Sequence, residues 1–269
     1  MADTRLQRLV VYVRFAARYM AANLQGALEY RVSFFSQVAA MVINDAAWLI
    51  FWLAYFGSFP LVADWGRPEI VMLWAIAATS FGIAATFFGG ATTLAAAIAR
   101  GELDFYLAMP KPTLLHVLIS RMDVSAPGDV LFGTTVYVLL IHPAPAKLAL
   151  FALFALTGAI IFISFMVITQ SLAFWLGNAE GLAQQFFNAL LSFSTYPTVI
   201  FRGIVKALLF TAIPAGFITY IPVQLLRSFS WPLFGGLLLF TVGIAVAAIL
   251  VFHAGLRRYE SGNLVLMRG

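Results

Sequence analysis

Residues 147–175 read KLALFALFALTGAIIFISFMVITQSLAFW. From Leu148 to Trp175 there is no Asp, Glu, Lys or Arg, whereas about 20 apolar helical residues suffice to cross the hydrocarbon of a bilayer. A helix this long and apolar on every side has no solvent face, so it reads as a membrane span. Gly177 and Asn178 end it.

The whole chain agrees with that reading. Of its 269 residues 62% are hydrophobic and 10% charged, with a mean hydropathy of +0.95; soluble domains are roughly 45–50% apolar and about 25% charged. At about 20 residues per span plus connections, roughly five to seven spans fit. The net charge of +5 reads as a determinant of orientation and of contact with anionic headgroups, since no soluble portion is large enough to carry a nucleic-acid-binding face. Absence of cysteine excludes a disulfide framework and thiolate chemistry. The opening stretch RLQRLVVYVRFAARYM, residues 5–20, spreads arginines through its apolar residues, so no cleavable signal peptide is expected.

In residues 5–30 the spacing of Arg5, Arg8, Arg14 and Arg18 among Leu6, Leu9, Val10, Val11, Val13 and Phe15 lets a helix lie flat with its arginines at the headgroups. As a span it would hold four arginines at about 2.5–3.5 kcal/mol each near the bilayer centre. The first span runs from Val32 to Gly57 and ends in a belt of Trp48, Trp52 and Tyr55. A second follows from Ile70 to Ala99, where Gly82, Ala84, Ala85, Gly89, Gly90, Ala91, Ala95 and Ala96 offer a face that another helix can approach closely. Residues 113–141 hold a third, short span: a helix beginning near Leu114 outside the hydrocarbon, loosened at Pro127-Gly128 and entering the membrane near Asp129. His142, Pro143 and Pro145 precede the fourth span.

A fifth helix, Leu182 to Thr195, leads into residues 196–228, where Pro197, Pro214 and Pro222 alternate with Arg202, Lys206 and Arg227. A complete span there would bury two cations in lipid and a proline inside a helix. A re-entrant hairpin of short helices avoids both. The last span is Pro232 to Ala254. The fold class expected is therefore an all-α polytopic membrane protein in a single domain, 1–269. It has six transmembrane helices, an N-terminal interfacial helix within 1–31 and a re-entrant hairpin over 196–228, starting at Tyr196.

Six spans divide the 16 basic residues unevenly. Arg5, Arg8, Arg14, Arg18, Arg31, Arg100, Lys111, Arg121, Arg257, Arg258 and Arg268 fall on one side, and Arg67, Lys147, Arg202, Lys206 and Arg227 on the other. The richer side is expected to be cytoplasmic, with both termini in it.

Little in the chain points to catalysis. His116, His142 and His253 stand near helix ends without partners at metal-ligand spacing, and neither H-E-x-x-H nor G-x-S-x-G occurs. No G-x-x-x-x-G-K-[ST] phosphate loop is present, so ATP hydrolysis would have to come from another subunit. No catalytic residue and no metal ligand is assigned. Asn44-Asp45 lies near the middle of the first span, and an ionisable group at that depth is a functional candidate. It could line a pathway, carry a proton, pair across a subunit interface, or act as hydrogen-bonded packing glue. The other ionisable groups cluster at helix ends.

Between the second and third spans stands ARGELDFYLAMPKP, residues 99–112. Gly101 lets the chain leave the span, Glu102 and Asp104 suit the positive end of a short helix ELDFYLAM, and Pro110 and Pro112 stop it. Leu103, Phe105, Tyr106, Leu107 and Met109 fit a helix docked in a groove of another protein, or equally one lying on headgroups.

The order of features resembles the permease subunits of type-2 ABC exporters, especially their small branch with a separate ATPase. The resemblance is carried by RGELDFYLAMPKP (100–112), by YPTVIFRG (196–203) with IPAGFITYIP (213–222), and by GLRRYESG (255–262). Gly101, Leu103, Asp104, Leu107 and Pro110 form its most specific pattern. It implies a cytoplasmic coupling helix in 100–112, at which Glu102, Leu103, Asp104, Phe105 and Leu107 would contact the ATPase. It further implies a bacterial inner-membrane complex of two permeases, identical or related, with two ATPase subunits that bind ATP and Mg, while this chain binds no cofactor of its own. An ion-coupled carrier using Asp45 and a non-transporting assembly subunit remain alternatives, and no motif names a cargo.

Overall fold

The computed structural model describes residues 2–62 and 64–260, with side chains from Val10 onward. The side chains of Arg5 and Arg8, Ser261-Gly262 and Arg268 lie outside the described residues. Among the described residues every regular element is helical. The first, α1 (Ala2–Glu29), is set off from α2 (Arg31–Ser58) by a kink at Tyr30. Then come α3 (Arg67–Phe88), a 3₁₀ turn (Gly89–Thr93), α4 (Leu94–Ala99), α5 (Leu103–Leu107) and α6 (Thr113–Ile119). The chain continues with α7 (Pro127–Val136) and its π-helical extension Tyr137–Ile141, α8 (Pro145–Gln170), α9 (Ala173–Leu176) and α10 (Glu180–Thr195). Short pieces follow: α11 (Gly203–Leu208), a π-helical turn (Gly216–Tyr220) and α12 (Ile221–Arg227), before α13 (Trp231–Leu256).

Four stretches are long and apolar enough to cross a membrane: Arg31–Ser58, Arg67–Ala99, Pro145–Leu176 and Trp231–Leu256. Pro127–Ile141 is a shorter apolar helix, and α10 is 16 residues long. The bundle is built around α3, which packs on α7 and α8, while α13 lies against α8. From Ile70 through Ser80 every residue of α3 is buried. By contrast α2 and α13 keep most of their apolar residues on the outside of the chain.

Between helices in lipid there is little hydrophobic driving force, so association depends on close approach and on satisfied polar groups. The small residues of the second span and of α7 supply the approach. A Cβ on Gly82 would lie 2.7 Å from the Val130 backbone nitrogen, and one on Gly128 would lie 2.6 Å from the Val38 carbonyl oxygen. A Cβ on Gly133 would collide with Thr79, and one on Gly90 with the Val117 carbonyl. Hydroxyls of Thr157, Thr169, Ser194 and Thr241 donate to carbonyls one turn back on their own helices.

The second span is continuous in direction but not in helical form. Its 3₁₀ turn at Gly89–Thr93 lets the backbone of 117–123 press against it, and the groups this releases find partners elsewhere. Gln170 Nε2 donates to the Thr92 carbonyl and its Oε1 accepts from the Ala95 N–H, both at 2.9 Å. The Asp123 N–H donates to the Ala85 carbonyl at 3.1 Å. A buried break of this kind is tolerated only when its backbone groups are paired.

The third span differs from the expected single loosened helix. α6 ends at Ile119, residues 120–126 are not helical, and a new helix begins at Pro127. Proline suits the first helical position because its missing N–H would have no partner there, and Ser125 is held by the Asp123 carboxylate through its N–H at 2.9 Å and hydroxyl at 2.8 Å. The short helix at 102–109 is likewise tighter than expected: regular α-helix covers only Leu103–Leu107. Gly101 enters it with φ of +74°, a left-handed conformation that favours glycine.

Candidate functional site

Two features stand out: a braced segment around α5, and a cavity within the bundle that holds two carboxyl groups. In the first, Leu103 is fully buried and joins a cluster with Leu94, Ile98, Val117, Ala173 and Phe252. Phe105, Leu107 and Met109 point outward, at 58%, 45% and 36% exposure. The Glu102 carboxylate lies 3.6 Å from Arg100 Nε in an exposed ion pair. Asp104 sits beside Tyr259, just past the end of α13; burial first, and then the neighbouring carboxylate, push the Tyr259 phenol up to about 12. Pro110 falls in the non-helical turn that leads to α6. The expected contact residues therefore divide by role: Leu103 anchors, Glu102 and Asp104 meet groups of their own chain, and Phe105 and Leu107 present an apolar face.

The other side of α5 is held by aromatic rings. Tyr106 and His116 stand edge-on at 5.1 Å, and His116 in turn meets Phe15 at 5.3 Å and Tyr19 at 5.2 Å on α1. His116 Nε2 is 3.3 Å from the Tyr19 hydroxyl. Desolvation holds the His116 pKa below its ordinary value. Lys111 Nζ lies over the rings of Tyr12 and Phe15 at 5.6 and 5.7 Å, and Asn23 Nδ2 donates to the Ile119 carbonyl at 3.0 Å. Thus α1 is bolted to α6 and to Lys111, in the turn that links α6 back to α5. Sequence reading considers His116 only as a catalytic or metal-binding candidate and passes over Tyr12 and Tyr19, since contacts across about a hundred residues leave no local pattern.

The cavity, of about 300 Å³, lies between α2, α3, α7 and α10. Asp45 and Asp129 both line it and interact through their carboxyl groups. Each residue is about 95% buried, at 5% and 4% exposure, and Oδ2 of each has no hydrogen-bond partner. Gly128, seated on Val38 and Met41, brings α7 close enough to α2 for the two side chains to meet. Asn44 lies at the exposed edge, its amide 4.0 Å from Met41 Sδ. Sequence reading places Asp129 at the membrane entrance and sees no intramembrane companion for Asp45; the start of α7 at Pro127 sets Asp129 beside it.

Of the residues singled out in 196–228, Tyr196 reaches this cavity. It packs edge-on against Trp52 at 5.4 Å, while Pro197, Pro214 and Pro222 are buried. Arg202 stands exposed ahead of α11. Arg227 Nε meets Glu69 Oε1 at 3.2 Å, which ties the end of α12 to the start of α3.

No curated protein and no solved structure matches the chain. A family model described as ABC-2 family transporter protein matches residues 42–262, a range that includes the cavity lining except Met41, α5, residues 196–228 and α13. The chain belongs to the ABC-2 transporter family, whose members are the membrane-embedded permeases of type-2 ABC transporters.

Proposed function

We propose that this chain is the membrane-spanning subunit of an ATP-driven exporter of the bacterial inner membrane. It forms a pathway with a second permease, identical or related, and is driven by two separate ATPase subunits that carry the ATP and Mg; it has no catalytic role itself. In this reading α7 and α10 complete six spans, α1 lies at the cytoplasmic interface, residues 196–228 re-enter from the outer side, and both termini are cytoplasmic. The observation that carries the proposal is the construction of α5. One side is anchored by Leu103 and the Tyr106–His116 contact, while Phe105, Leu107 and Met109 stand exposed. A short apolar face on a rigid mount is suited to a groove on a partner, and closure of the partner would then move the attached helices as a body.

The test is affinity purification of the full chain from native membranes, followed by ATP hydrolysis and transport assays. The expected outcome is recovery of an ATP-hydrolysing partner, strongly depleted by Asp104→Lys, with membrane insertion unchanged. Solute uptake driven by an ion gradient in vesicles containing the chain alone would overturn the reading and favour a carrier using Asp45. ATP hydrolysis by the complex with no solute moved would favour an assembly role.

A further inference from the structure

We propose that the cavity between α2, α3, α7 and α10 binds the protonated amine of an amphiphilic molecule, with Asp45 and Asp129 as its charge partners; that this molecule is cargo rests on the permease reading above. Asp45, Asp129 and Trp74 all line this one space, and Oδ2 of each carboxyl group is buried without a hydrogen-bond partner. No residue lining the cavity is basic, so the lining offers the two carboxylates no counter-charge. An ammonium has three donors and a positive charge, which together satisfy what the two carboxylates lack. A metal ion is a poorer fit: among the described residues no three acidic, histidine or cysteine side chains come together to hold one, and Met41, Ala77, Ala78, Phe81 and Leu191 make much of the remaining wall apolar.

The aromatic lining points the same way. Trp48 and Trp74 both border the cavity with their rings nearly parallel, 13° apart with centroids 6.5 Å from each other, and tryptophan faces are the preferred aromatic partners of ammonium groups. Trp48 and Tyr196 also line a second cavity of about 560 Å³, which runs on past Trp52, Phe56 and Ile200. That space is almost wholly apolar and accommodates a hydrocarbon or aryl tail. A charged head at the carboxylates and a tail along α2 define an amphiphile.

The experiment uses the full chain in lipid nanodiscs without any ATPase, with protonated 4-phenylbutylamine as probe and uncharged 4-phenylbutan-1-ol as its match in size. The amine is expected to bind at least about tenfold more tightly than the alcohol. In Asp45→Asn and Asp129→Asn that preference falls to near parity while alcohol binding persists, which shows that the cavity is still formed. Equal affinity for amine and alcohol in the unmodified chain, no binding of either, or an amine preference that survives the double Asn variant would each overturn the proposal. Nanodiscs of fixed phosphatidylglycerol content, completed with either phosphatidylethanolamine or an uncharged glycolipid, separate the sources of the amine. Weaker probe binding in phosphatidylethanolamine assigns the site to a lipid headgroup, and equal binding assigns it to a free amphiphilic amine; both retain the ammonium assignment. Because no ATPase is present, failure here leaves the coupling role of α5 standing, and loss of ATPase docking leaves this site standing.

Discussion

Truncating Phe105 to alanine removes the largest single piece of the exposed apolar face at α5, and the size of the effect follows from its exposure. A phenylalanine buries about 150–250 Å² when fully enclosed. With 58% of Phe105 exposed, roughly 120 Å² remains for a partner to cover, worth about 3 kcal/mol at about 25 cal/mol per Å². Imperfect seating and the ordering of side chains at the interface reduce this to ~2 kcal/mol, a loss of about 30-fold in affinity. The effect on folding is small, because Phe105 makes one ring contact, with Tyr106 at 5.3 Å, and exposed positions of this kind change stability by about 0.5 kcal/mol. Leu103→Ala gives the opposite pattern: that side chain is fully enclosed, and its truncation costs about 2–5 kcal/mol of stability. The assay is the affinity of purified ATPase for the full chain in nanodiscs, read beside thermal unfolding. If Phe105→Ala binds the ATPase as tightly as the unmodified chain and stimulates hydrolysis equally, the outward face of α5 is not the docking surface.

Gln170→Leu leaves the Ala95 N–H and the Thr92 carbonyl without partners in a buried site; at about 1–3 kcal/mol for each unsatisfied group, the thermal unfolding temperature should fall clearly, and amide exchange at Ala95 should rise. Gly90→Ala drives a methyl group into the Val117 carbonyl and should cost ~3 kcal/mol, whereas at Gly243 in α13, where nothing lies within 4 Å, the same change should stabilise by ~1 kcal/mol; equal effects at the two sites would mean that α6 does not press on the second span. His116 is held below its ordinary pKa of 6.5 by desolvation, so the unfolded or undocked state binds protons more readily. Its contribution is therefore present above about pH 6.5 and is lost as pH falls through that value. Proteolysis within α1 should accelerate on acidification in the unmodified chain, and His116→Phe should flatten that dependence.

Much of the architecture was legible because lipid imposes simple rules on composition. The span ending at Trp175 followed from the absence of charge over 148–175 and emerged as α8 with its short continuation α9. The small residues of the second span announced close approach, and Gly82 and Gly90 do meet neighbouring backbone. Residues 113–141 were harder, because a Pro-Gly pair is compatible both with a bend in one helix and with the start of another. The Asp123 carboxylate, by holding Ser125, settles this in favour of a new start at Pro127. That start also sets Asp129 beside Asp45, a pairing that periodicity could not reveal. The partners of His116 and Gln170 are distant in sequence and close only through the fold.

These elements form one continuous path from the exposed face to the cavity. Leu103 and Tyr106 fix α5 against α6 and the buried cluster, and the Val117 carbonyl of α6 lies on Gly90. Residues 121–123 then run along the second span, where the Arg121 carbonyl faces Gly89 and the Asp123 N–H bonds to Ala85. The Asp123 carboxylate holds Ser125, and two residues later α7 begins with Gly128 on α2 and Asp129 in the cavity. The steps at Gly89, Gly90, Ala85 and Gly128 are backbone hydrogen bonds or glycine contacts with no side chain to cushion them, the others are buried or hydrogen-bonded side chains, and close-packed contacts of this kind transmit displacement. If α5 is the docking element proposed above, a push on it would reach the Asp45–Asp129 pair along this path. Because Asp45 stands on α2 and Asp129 on α7, a small shift of one helix against the other would change the separation of the two carboxylates. It would thereby change the affinity for any cation held between them, which is the differential binding that an ATP-driven cycle needs in order to release what it has bound.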